Sequence, residues 1–483
     1  MTLKTPWTYV CGVYPFFQGD FEMSITSTGT IAAIATPPGD GGVGIIRISG
    51  EQALSIAKDI FHPAKDSFSG FKPYTMHYGT IVDADSVEID DVLTVFMPGP
   101  NSYTGEDTVE INCHGGRAIL SAVLGEVLAK GARLANAGEF TLRAFLNGRM
   151  DLTQAEAVAE MIHAPSRGAA QLAKVKLSGV LGERISGLRL RLEELRAQLC
   201  VAVDFPEDEL ECLPLEQMQS EVGDAVKNIS EILSGVERTK AWREGGLAVL
   251  SGKVNAGKSS LLNALLGRNR AIVTDIPGTT RDFIEETLNL DGLQVRVVDT
   301  AGLRETSDAV ELAGVDMGRD LASQADLVLL IIDGSKPFAL ADLDPQFADM
   351  ADKCLAVINK SDLEQADPSP AVIMRESGYE VVEISAKKGQ GIERLAALIR
   401  EHILQGAGEP DPDELVPNSR QAASLKKAHV ELEELMGDIA MQVPYDLLGV
   451  RLESACSSLS EITGEITPQE VLNSIFENFC VGK

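Results

Sequence analysis

At 483 residues, the chain is too long for a single hydrophobic core and predicts about three domains. With 72 acidic against 42 basic side chains its formal net charge is -30; this excludes non-specific nucleic-acid binding by counterion release, so any RNA contact must be local or shared with a basic partner. Seven scattered cysteines with no C-x-x-C pair predict reduced thiols in a cytoplasmic setting, and no apolar run of membrane-spanning length predicts no membrane.

In chain order, residues 1–22 include an aromatic-rich YVCGVYPFFQ that lacks the charged start and apolar core of a signal peptide. They read as a leader, with Met23 a plausible start, because patterned sequence begins only at Ile31. From Gly29 to about Ala137, short β-rich runs alternate with two helical ones. Strands are predicted at TIAAIAT, VGIIRIS, MHYGTIV, DVLTVFM and TVEINCH, and helices at EQALSIAKDIF and RAILSAVLGEVLAKG. This is an α+β domain. Its informative residues are the loop PPGDGG, Arg47 on an inner strand position, and NSYTGED leading to Glu110. A lone charge on a strand is more often solvated than a ligand, and both readings stay open.

After GEFTLRAFLNGRMDLTQAEA the pattern turns helical. Apolar residues at 181, 185, 188, 192, 195 and 199 form one stripe of a long helix. FPEDE breaks it, and a second helix is predicted through Met218, Val222, Val226, Ile229, Leu233 and Val236. Far downstream, beyond the Gly/Pro/acid linker GAGEPDPDE, helices resume at LKKAHVELEELMGDIA and DLLGVRLESACSSLSEITG. A last one is predicted from Pro468 to Phe479, opened by a capping box of Thr467 and Glu470. Apolar stripes before and after the intervening segment predict one bundle interrupted by an insertion, the alternative being two separate helical domains.

The intervening segment opens with LAVLSGKVNAGKSSLL: an apolar strand, the phosphate-loop pattern Gly252, Gly257, Lys258 and Ser259, then a helical pattern. Glycines let backbone N–H groups turn inward on phosphate oxygens, the lysine adds charge at the outer phosphates, and the hydroxyl ligates Mg²⁺. VRVVDTAG follows as a strand ending in Asp299, with Gly302 placed to touch a terminal phosphate. A second strand, LVLLIID, ends at Asp333, and a third, CLAVINKSD, delivers Asn359, Lys360 and Asp362. The Asp362 carboxylate can accept from N1–H and the exocyclic amine of guanine, whereas adenine presents an acceptor at the first position, so the pattern predicts GTP. A fourth strand, YEVVEISAK, brings Ser385, Ala386 and Lys387 over the base.

Leu303 follows Gly302 where Ras-like proteins carry the glutamine that orients the attacking water. Another residue must take that role, and Glu305, Asp308 and Glu311 are available. Asn255, with carbonyls of the Thr274 to Thr279 loop, could hold a monovalent cation that neutralises charge between the β- and γ-phosphates. The alternative is that Asn255 only bonds its own loop and that Arg281 or Arg304 supplies the charge.

From about Met23 the chain resembles the MnmE (TrmE) family of tRNA-modification GTPases. The resemblance runs through TPPGDGGVGIIRISG, PNSYTGED, GEFTLRAFLNGRMDLTQAEA, NAGKSSLLNALLG, AIVTDIPGTTRD, DTAGLRET and the C-x-G-K pattern of Cys480, Val481, Gly482 and Lys483. It implies an α+β folate-binding and dimerisation domain over 23–140, a helical domain in two parts, 141–243 and 407–483, and an α/β P-loop GTPase domain inserted between them at 244–406. It implies a homodimer, a tetrahydrofolate derivative (5-formyl or 5,10-methylene) and an MnmG-type partner using FAD and NADH in a hetero-oligomer. The output would be an aminomethyl or carboxymethylaminomethyl group at carbon 5 of the wobble uridine of certain tRNAs.

Carried over residue by residue, the folate ligands would be Arg47, Glu110, Arg149 and Lys483, with Cys480 in the tail. The GTP site would comprise Asn255, Ala256, Gly257, Lys258, Ser259 and Ser260, then Thr274, Asp275, Ile276, Pro277, Gly278, Thr279 and Thr280. Asp299, Thr300, Ala301 and Gly302 join it, with Asn359, Lys360 and Asp362 and with Ser385, Ala386 and Lys387 at the base. K⁺ would rest on Asn255, Thr274, Ile276 and Thr279, Mg²⁺ on Ser259 and Thr280, and the water on Glu311. The chain departs from the family at position 149, arginine where some members have lysine, at Val254, where proline is usual, and at Pro277, which stiffens the potassium loop. The rival expectation is a GTP-dependent binding switch or ribosome-assembly factor without modification chemistry.

Overall fold

A computed structural model describes residues 29–37, 39–204, 214–269, 284–299, 321–347, 350–366, 369–406, 408–411 and 413–482. The leader 1–22, the FPEDE break, the cation loop with Thr274, Asp275, Ile276, Pro277, Gly278, Thr279, Thr280 and Arg281, the segment from Thr300 through Arg304 to Glu311, and Lys483 lie outside them. The chain forms two compact units: one holds 29–162, 174–233 and 417–482, the other 163–173 and 234–416.

The first unit opens with strands β1 (Ile31–Ile34) and β2 (Gly41–Ser49), helix α1 (Ala53–Ile60), β3 (Phe61–Pro63), β4 (Met76–Val82), β5 (Glu88–Met97), β6 (Thr108–Gly115), α2 (Arg117–Ala129) and β7 (Arg133–Leu134). They make a seven-stranded sheet in the order β3-β4-β5-β6-β2-β1-β7, antiparallel except for β1 beside β7. All five predicted strands and both helices are present. Short β3 and β7 were not signalled, and Phe61, expected to end a helix, opens β3 against Ile81. Period-2 alternation puts Ile46, Ile48, Ile81, Val92, Val109 and Ile111 in a core with Ala53, Ile56, Leu120 and Val123 of the two helices. The other face is covered at β1 and β2, where Ile31 and Ala33 are buried with Ala135 and Phe140, and is exposed toward β4 and β5 at Met76, Tyr78 and Leu93.

Helices α3 (Glu139–Leu146), α4 (Leu152–His163), α5 (Arg167–Leu177), α6 (Val180–Asp204) and α7 (Leu215–Arg238) follow. The stripe predicted for α6 is buried throughout, from Leu181 to Leu199. In α7 the buried set is Met218, Val222, Ala225, Ile229 and Ile232, with Val226, Leu233 and Val236 only half-buried. Two successive steps of four drift about 80° around a helix, whereas four plus three returns within about 20°; small Ala225 therefore takes the inner place assigned to Val226.

The second unit contains α8 (Lys240–Glu244), β8 (Gly246–Ser251), α9 (Lys258–Asn269), β9 (Ile284–Leu290), β10 (Leu293–Asp299), β11 (Leu327–Asp333), β12 (Cys354–Asn359), α10 (Pro370–Glu376), β13 (Glu380–Glu383) and α11 (Ile392–Leu404). Its six-stranded sheet runs β13-β12-β11-β8-β10-β9, parallel except for β9, which the sequence reading missed. The continuous apolar runs of β11 and β12 are buried on both faces, as a doubly covered parallel sheet requires.

The chain returns to the first unit with α12 (Ser419–Ala440), α13 (Tyr445–Thr463) and α14 (Gln469–Phe476). Helix α13 packs against α6 and α12. Ser230 Oγ of α7 lies 2.7 Å from His429 Nε2 of α12, so helices from both sides of the insertion share one bundle. Asn418 caps α12 reciprocally with Gln421. At α14 the expected capping box does not form: Pro468 is the N-cap, and the Thr467 hydroxyl is buried with no hydrogen-bond partner among the described residues. One residue too early, it cannot reach the second or third helical amide. The helix also stops at Phe476 rather than Phe479. Among the described residues no helix is long and apolar enough to cross a membrane.

Candidate functional site

In the second unit, β8 ends at Ser251 and the chain turns back over the end of the sheet before α9 begins at Lys258. Two glycines make that turn possible. Gly252 has φ +153° and a Cβ there would stand 2.3 Å from the Ile331 carbonyl oxygen; Gly257 has φ +101° and its Cβ would stand 2.2 Å from Asn359 Nδ2. Asn255 itself takes a left-handed φ of +64°. The result places the first N–H groups of α9, with their partial positive charge, at the loop.

Lys258 is buried, and its Nζ donates to the carbonyls of Gly252 (2.7 Å) and Lys253 (3.0 Å). Ser259 Oγ lies 3.4 Å from Asp299 Oδ2, a hydroxyl and a carboxylate converging from α9 and β10. Asn359, at the end of β12, binds two loops together: Nδ2 donates to the Ala256 carbonyl (2.9 Å), and Oδ1 accepts from the amides of Lys360 (2.8 Å) and Ala386 (3.1 Å). Lys360 Nζ donates to the Asn255 carbonyl (3.0 Å) and to Asp333 Oδ2 (2.7 Å). Burial pushes the Asp333 carboxyl up, but hydrogen bonds from Lys360 and Ser335 outweigh it and leave the group below the ordinary carboxylate value. Asp362 Oδ1 accepts from Ser385 Oγ at 2.7 Å, and that bond chiefly holds the Asp362 carboxyl low. It therefore stays ionised, with two oxygens able to accept from a base edge.

The structure thus gathers Asn255, Ala256, Gly257, Lys258, Ser259, Asp299, Asn359, Lys360, Asp362, Ser385 and Ala386 at one end of the sheet, where β8, β10, β12 and β13 finish. Ser260, Asn255 and Lys387 are exposed. Sequence reasoning missed Asp333 as the partner of Lys360, and Lys388, whose Nζ stands 3.7 Å from Asp362. For Asp333 the signal was present: an acidic residue ending a buried strand.

In the first unit, the paired strands β2 and β6 place Arg47 directly opposite Glu110. Arg47 Nε and Nη2 each lie 2.8 Å from Glu110 Oε1. The guanidinium carbon stands 5.7 Å from the ring centres of both Tyr103 and Phe140. Its remaining nitrogen, Nη1, donates to the Gly482 carbonyl at 3.1 Å. The tail is therefore docked on this pair. Val481 bridges Ala137, and the Gly138 amide donates to the Cys480 carbonyl at 3.4 Å. Gly482 is required sterically: at φ +94°, a Cβ would meet the Ile34 carbonyl oxygen at 2.4 Å. Phe476 and Phe479 anchor the approach to the tail in a core with Leu142, Leu152 and Val158. Cys480 and Arg149 are exposed, and the Arg149 stem runs beside Gly105, whose Cβ would lie 3.3 Å from Arg149 Cγ. Gly482 was marked in the tail pattern, and Tyr103 and Glu106 fall within the NSYTGED stretch without a role of their own; Phe140 and Arg143 were not singled out for this site from sequence.

A strand, a glycine-built phosphate loop and a helix, with an N-K-x-D turn at the end of a parallel strand, define the second unit as that of a P-loop GTPase. The first unit matches a family model described as GTP-binding protein TrmE N-terminus over residues 30–149, and an MnmE helical domain model matches residues 152–480. The chain is 55% identical over 456 residues to tRNA modification GTPase MnmE of Nitratidesulfovibrio vulgaris (strain DP4), covering 94% of this chain and 99% of that protein. To the protein of the same description from Lawsonia intracellularis (strain PHE/MN1-00) it is 46% identical over 458 residues, again 94% of this chain and 99% of that one. A solved G domain from the T. maritima FeoB iron transporter is 27% identical over 34% of this chain and 99% of that chain, with a TM-score of 0.25. The chain belongs to the MnmE family of tRNA modification GTPases, with an α+β N-terminal domain, a helical domain and an inserted P-loop GTPase domain, and it is a GTP hydrolase.

Proposed function

We propose that this GTPase drives conformational change in a tRNA-modifying complex. It acts with an MnmG-type FAD/NADH protein to add an aminomethyl or carboxymethylaminomethyl group to carbon 5 of the wobble uridine of certain tRNAs, drawing the carbon from a tetrahydrofolate derivative. The observation that carries this reading is the tail docked on the Arg47–Glu110 pair, since a pure binding switch has no use for a second polar site served by the far end of the chain. Arg47, Glu110, Arg149 and Lys483 are the proposed folate ligands, with Cys480 of the tail proposed to serve the same site. The domain limits proposed are 23–140, 141–243, 244–406 and 407–483, with the protein cytoplasmic.

A homodimer through the N-terminal domain is favoured by the exposed β4–β5 end of the same sheet face, where Met76, Tyr78 and Leu93 are 57%, 56% and 42% exposed. Strand register aligns Met76, Val95, Glu110, Arg47 and Ala33 in one cross-strand row, so the apolar surface is continuous with the pocket.

In the nucleotide site, the Ser259 hydroxyl and Asp299 carboxylate are the kind of oxygen donors Mg²⁺ takes, with Thr280 proposed to join Ser259. Mg²⁺ would neutralise charge on the outer phosphates. Lys258, now on carbonyls of its own loop, would exchange them for phosphate oxygens, and Glu311 would orient the water. For potassium, the Asn255 side chain is exposed on the phosphate loop, which leaves it accessible for the proposed ligand role with Thr274, Ile276 and Thr279.

Mass spectrometry of tRNA nucleosides from cells lacking this chain tests the reading: the wobble-uridine modification should be missing and should return with the full chain. Unaltered nucleosides would overturn it. Hydrolysis should run faster in K⁺ than in Na⁺, and Asn255→Ala should erase that difference while nucleotide still binds. Equal rates in the two salts would shift the role to Arg281 or Arg304.

A further inference from the structure

One helix walls the Arg47 pocket and also holds the loop opposite it. Phe140 of α3 lies against Arg47, and Thr141 Oγ1 lies 2.9 Å from the Tyr103 hydroxyl. Arg143, 8% exposed, reaches the same loop. Its Nη1 donates to both carboxylate oxygens of Glu106 (3.2 and 2.9 Å), and its Nη2 donates to Glu139 Oε1 (3.1 Å) and the Gly29 carbonyl (2.9 Å).

Glu106 also accepts from Ser49 Oγ at 2.8 Å, and Ser49 Oγ lies 2.7 Å from Thr104 Oγ1. Ser49 stands two residues beyond Arg47 on β2, hence on the same sheet face. Asn147 Nδ2 donates to the Thr104 carbonyl at 2.7 Å. Other ties hold the loop's ends, from the Tyr74 hydroxyl to the Asn101 carbonyl (3.1 Å), from the Gly99 amide to Asp107 Oδ1 (3.0 Å) and between Thr104 and Thr108 of β6 (3.3 Å), but the one that engages both oxygens of the Glu106 carboxylate is made by Arg143.

We propose that Arg143 is the positioning residue of the pocket. By gripping Glu106 it fixes residues 101–107 against β2, which sets Tyr103 over the Arg47 guanidinium and the loop beside Arg149, without Arg143 touching the ligand. The inference rests on the folate reading of the pocket. A guanidinium is needed because its planar fork spans Glu106, Glu139 and Gly29 at once; an ammonium keeps the charge and loses the span.

The test uses the full chain carrying Arg143→Lys, with Thr141→Val as a milder variant that releases only the Tyr103 hydroxyl. Binding of 5-formyltetrahydrofolate by calorimetry should weaken roughly tenfold in Arg143→Lys, the scale expected when a site is loosened by under an ångström. The loss should be smaller in Thr141→Val, with GTP hydrolysis unchanged in both. Amide hydrogen exchange should quicken in the 101–107 peptide of Arg143→Lys while β6 and α2 keep their protection. Unchanged exchange in that peptide overturns the proposal, as does exchange that quickens uniformly through the sheet, since that marks a merely structural residue. If Arg143→Lys fails to fold, Glu106→Gln and Thr141→Val carry the same comparison. Should the unaltered protein bind no folate, the folate reading fails on its own and the exchange result still decides the role of Arg143.

Discussion

In the nucleotide unit, the described functional side chains stand at or just beyond the C-terminal ends of parallel strands: the loop after β8, Asp299 of β10, Asp333 of β11, and Asn359 to Asp362 after β12. In the other unit the site lies across one face of an antiparallel sheet, under α3 and the tail, where Arg47 meets Glu110, 63 positions away, and Gly482, 435 positions away. The first arrangement follows from topology, because an open parallel sheet leaves a crevice where its strands end. The second exists only once lateral register and the returning tail are in place. A parallel-sheet site can be written in short contiguous motifs, whereas a sheet-face site cannot.

Each site contains a glycine that has no room for a methyl, and exchanging that glycine for alanine should break one site and spare the other. Gly257→Ala should have the larger effect. The added methyl would press on Asn359 Nδ2 at 2.2 Å from a backbone with φ +101°, displacing the amide that braces Ala256. GTP hydrolysis should fall by on the order of 10²-fold, as when a preorganised donor is lost, while folate binding measured on the same sample stays level. Turnover close to that of the unaltered protein would show that the loop tolerates a side chain. Glu311→Ala should match that fall, on the order of 10²-fold or more, yet keep GTP affinity, because a group that orients water acts on the chemical step. If instead Glu305→Ala slows turnover and Glu311→Ala does not, the role belongs elsewhere in the same segment.

Gly482→Ala probes the second site. Its methyl would meet the Ile34 carbonyl oxygen at 2.4 Å, so the tail must leave the Arg47 guanidinium. Modification of the wobble uridine should drop roughly tenfold or more with misplacement of the tail, and GTP hydrolysis should not change. Full modification by this variant would separate the tail from the chemistry.

The same contrast governs what the sequence made legible. The strands of the nucleotide sheet could be read as apolar runs, and the motif after each run named its own role, because the run and the motif are adjacent. Only β9 escaped, since IEETLNL carries little apolar signal and its place is set by antiparallel pairing with β10. For the Arg47 pocket, the pattern marked Arg47 and Glu110 as informative but left open whether each is a solvated strand charge or a ligand, and only the resemblance gave them a role. Tyr103 fell inside the marked NSYTGED stretch without a role, and Phe140 and Arg143 gave no site signal, because their contacts depend on how α3 lies across β2. The Thr467 box failed for a local reason, a proline in the capping position, whereas the α7 stripe failed because Ala225 is too small to read as core.

Glu139, the other carboxylate on Arg143, gives the smallest and most diagnostic effect. Burial pushes its carboxyl up, but hydrogen bonds from Arg133 and the Asn136 amide, with the charges of Arg133 and Arg143, more than offset this and hold it below its ordinary value of 4.5. A carboxyl whose folded pKa is depressed contributes stability that is fully present above the unfolded value and is lost as pH falls through the folded one. Glu139→Gln removes that contribution and leaves two guanidinium groups short of an anion. The variant should therefore unfold more readily at neutral pH, and the gap to the unaltered protein should narrow as pH drops below the ordinary glutamate value toward about 3. Urea unfolding of the two proteins across that range provides the measurement. A gap that stays constant into acid would mean that Glu139 acts through packing rather than charge. A gap that closes, with the nucleotide unit's own transition unmoved, would locate the acid-sensitive part of the molecule beside the Arg47 pocket.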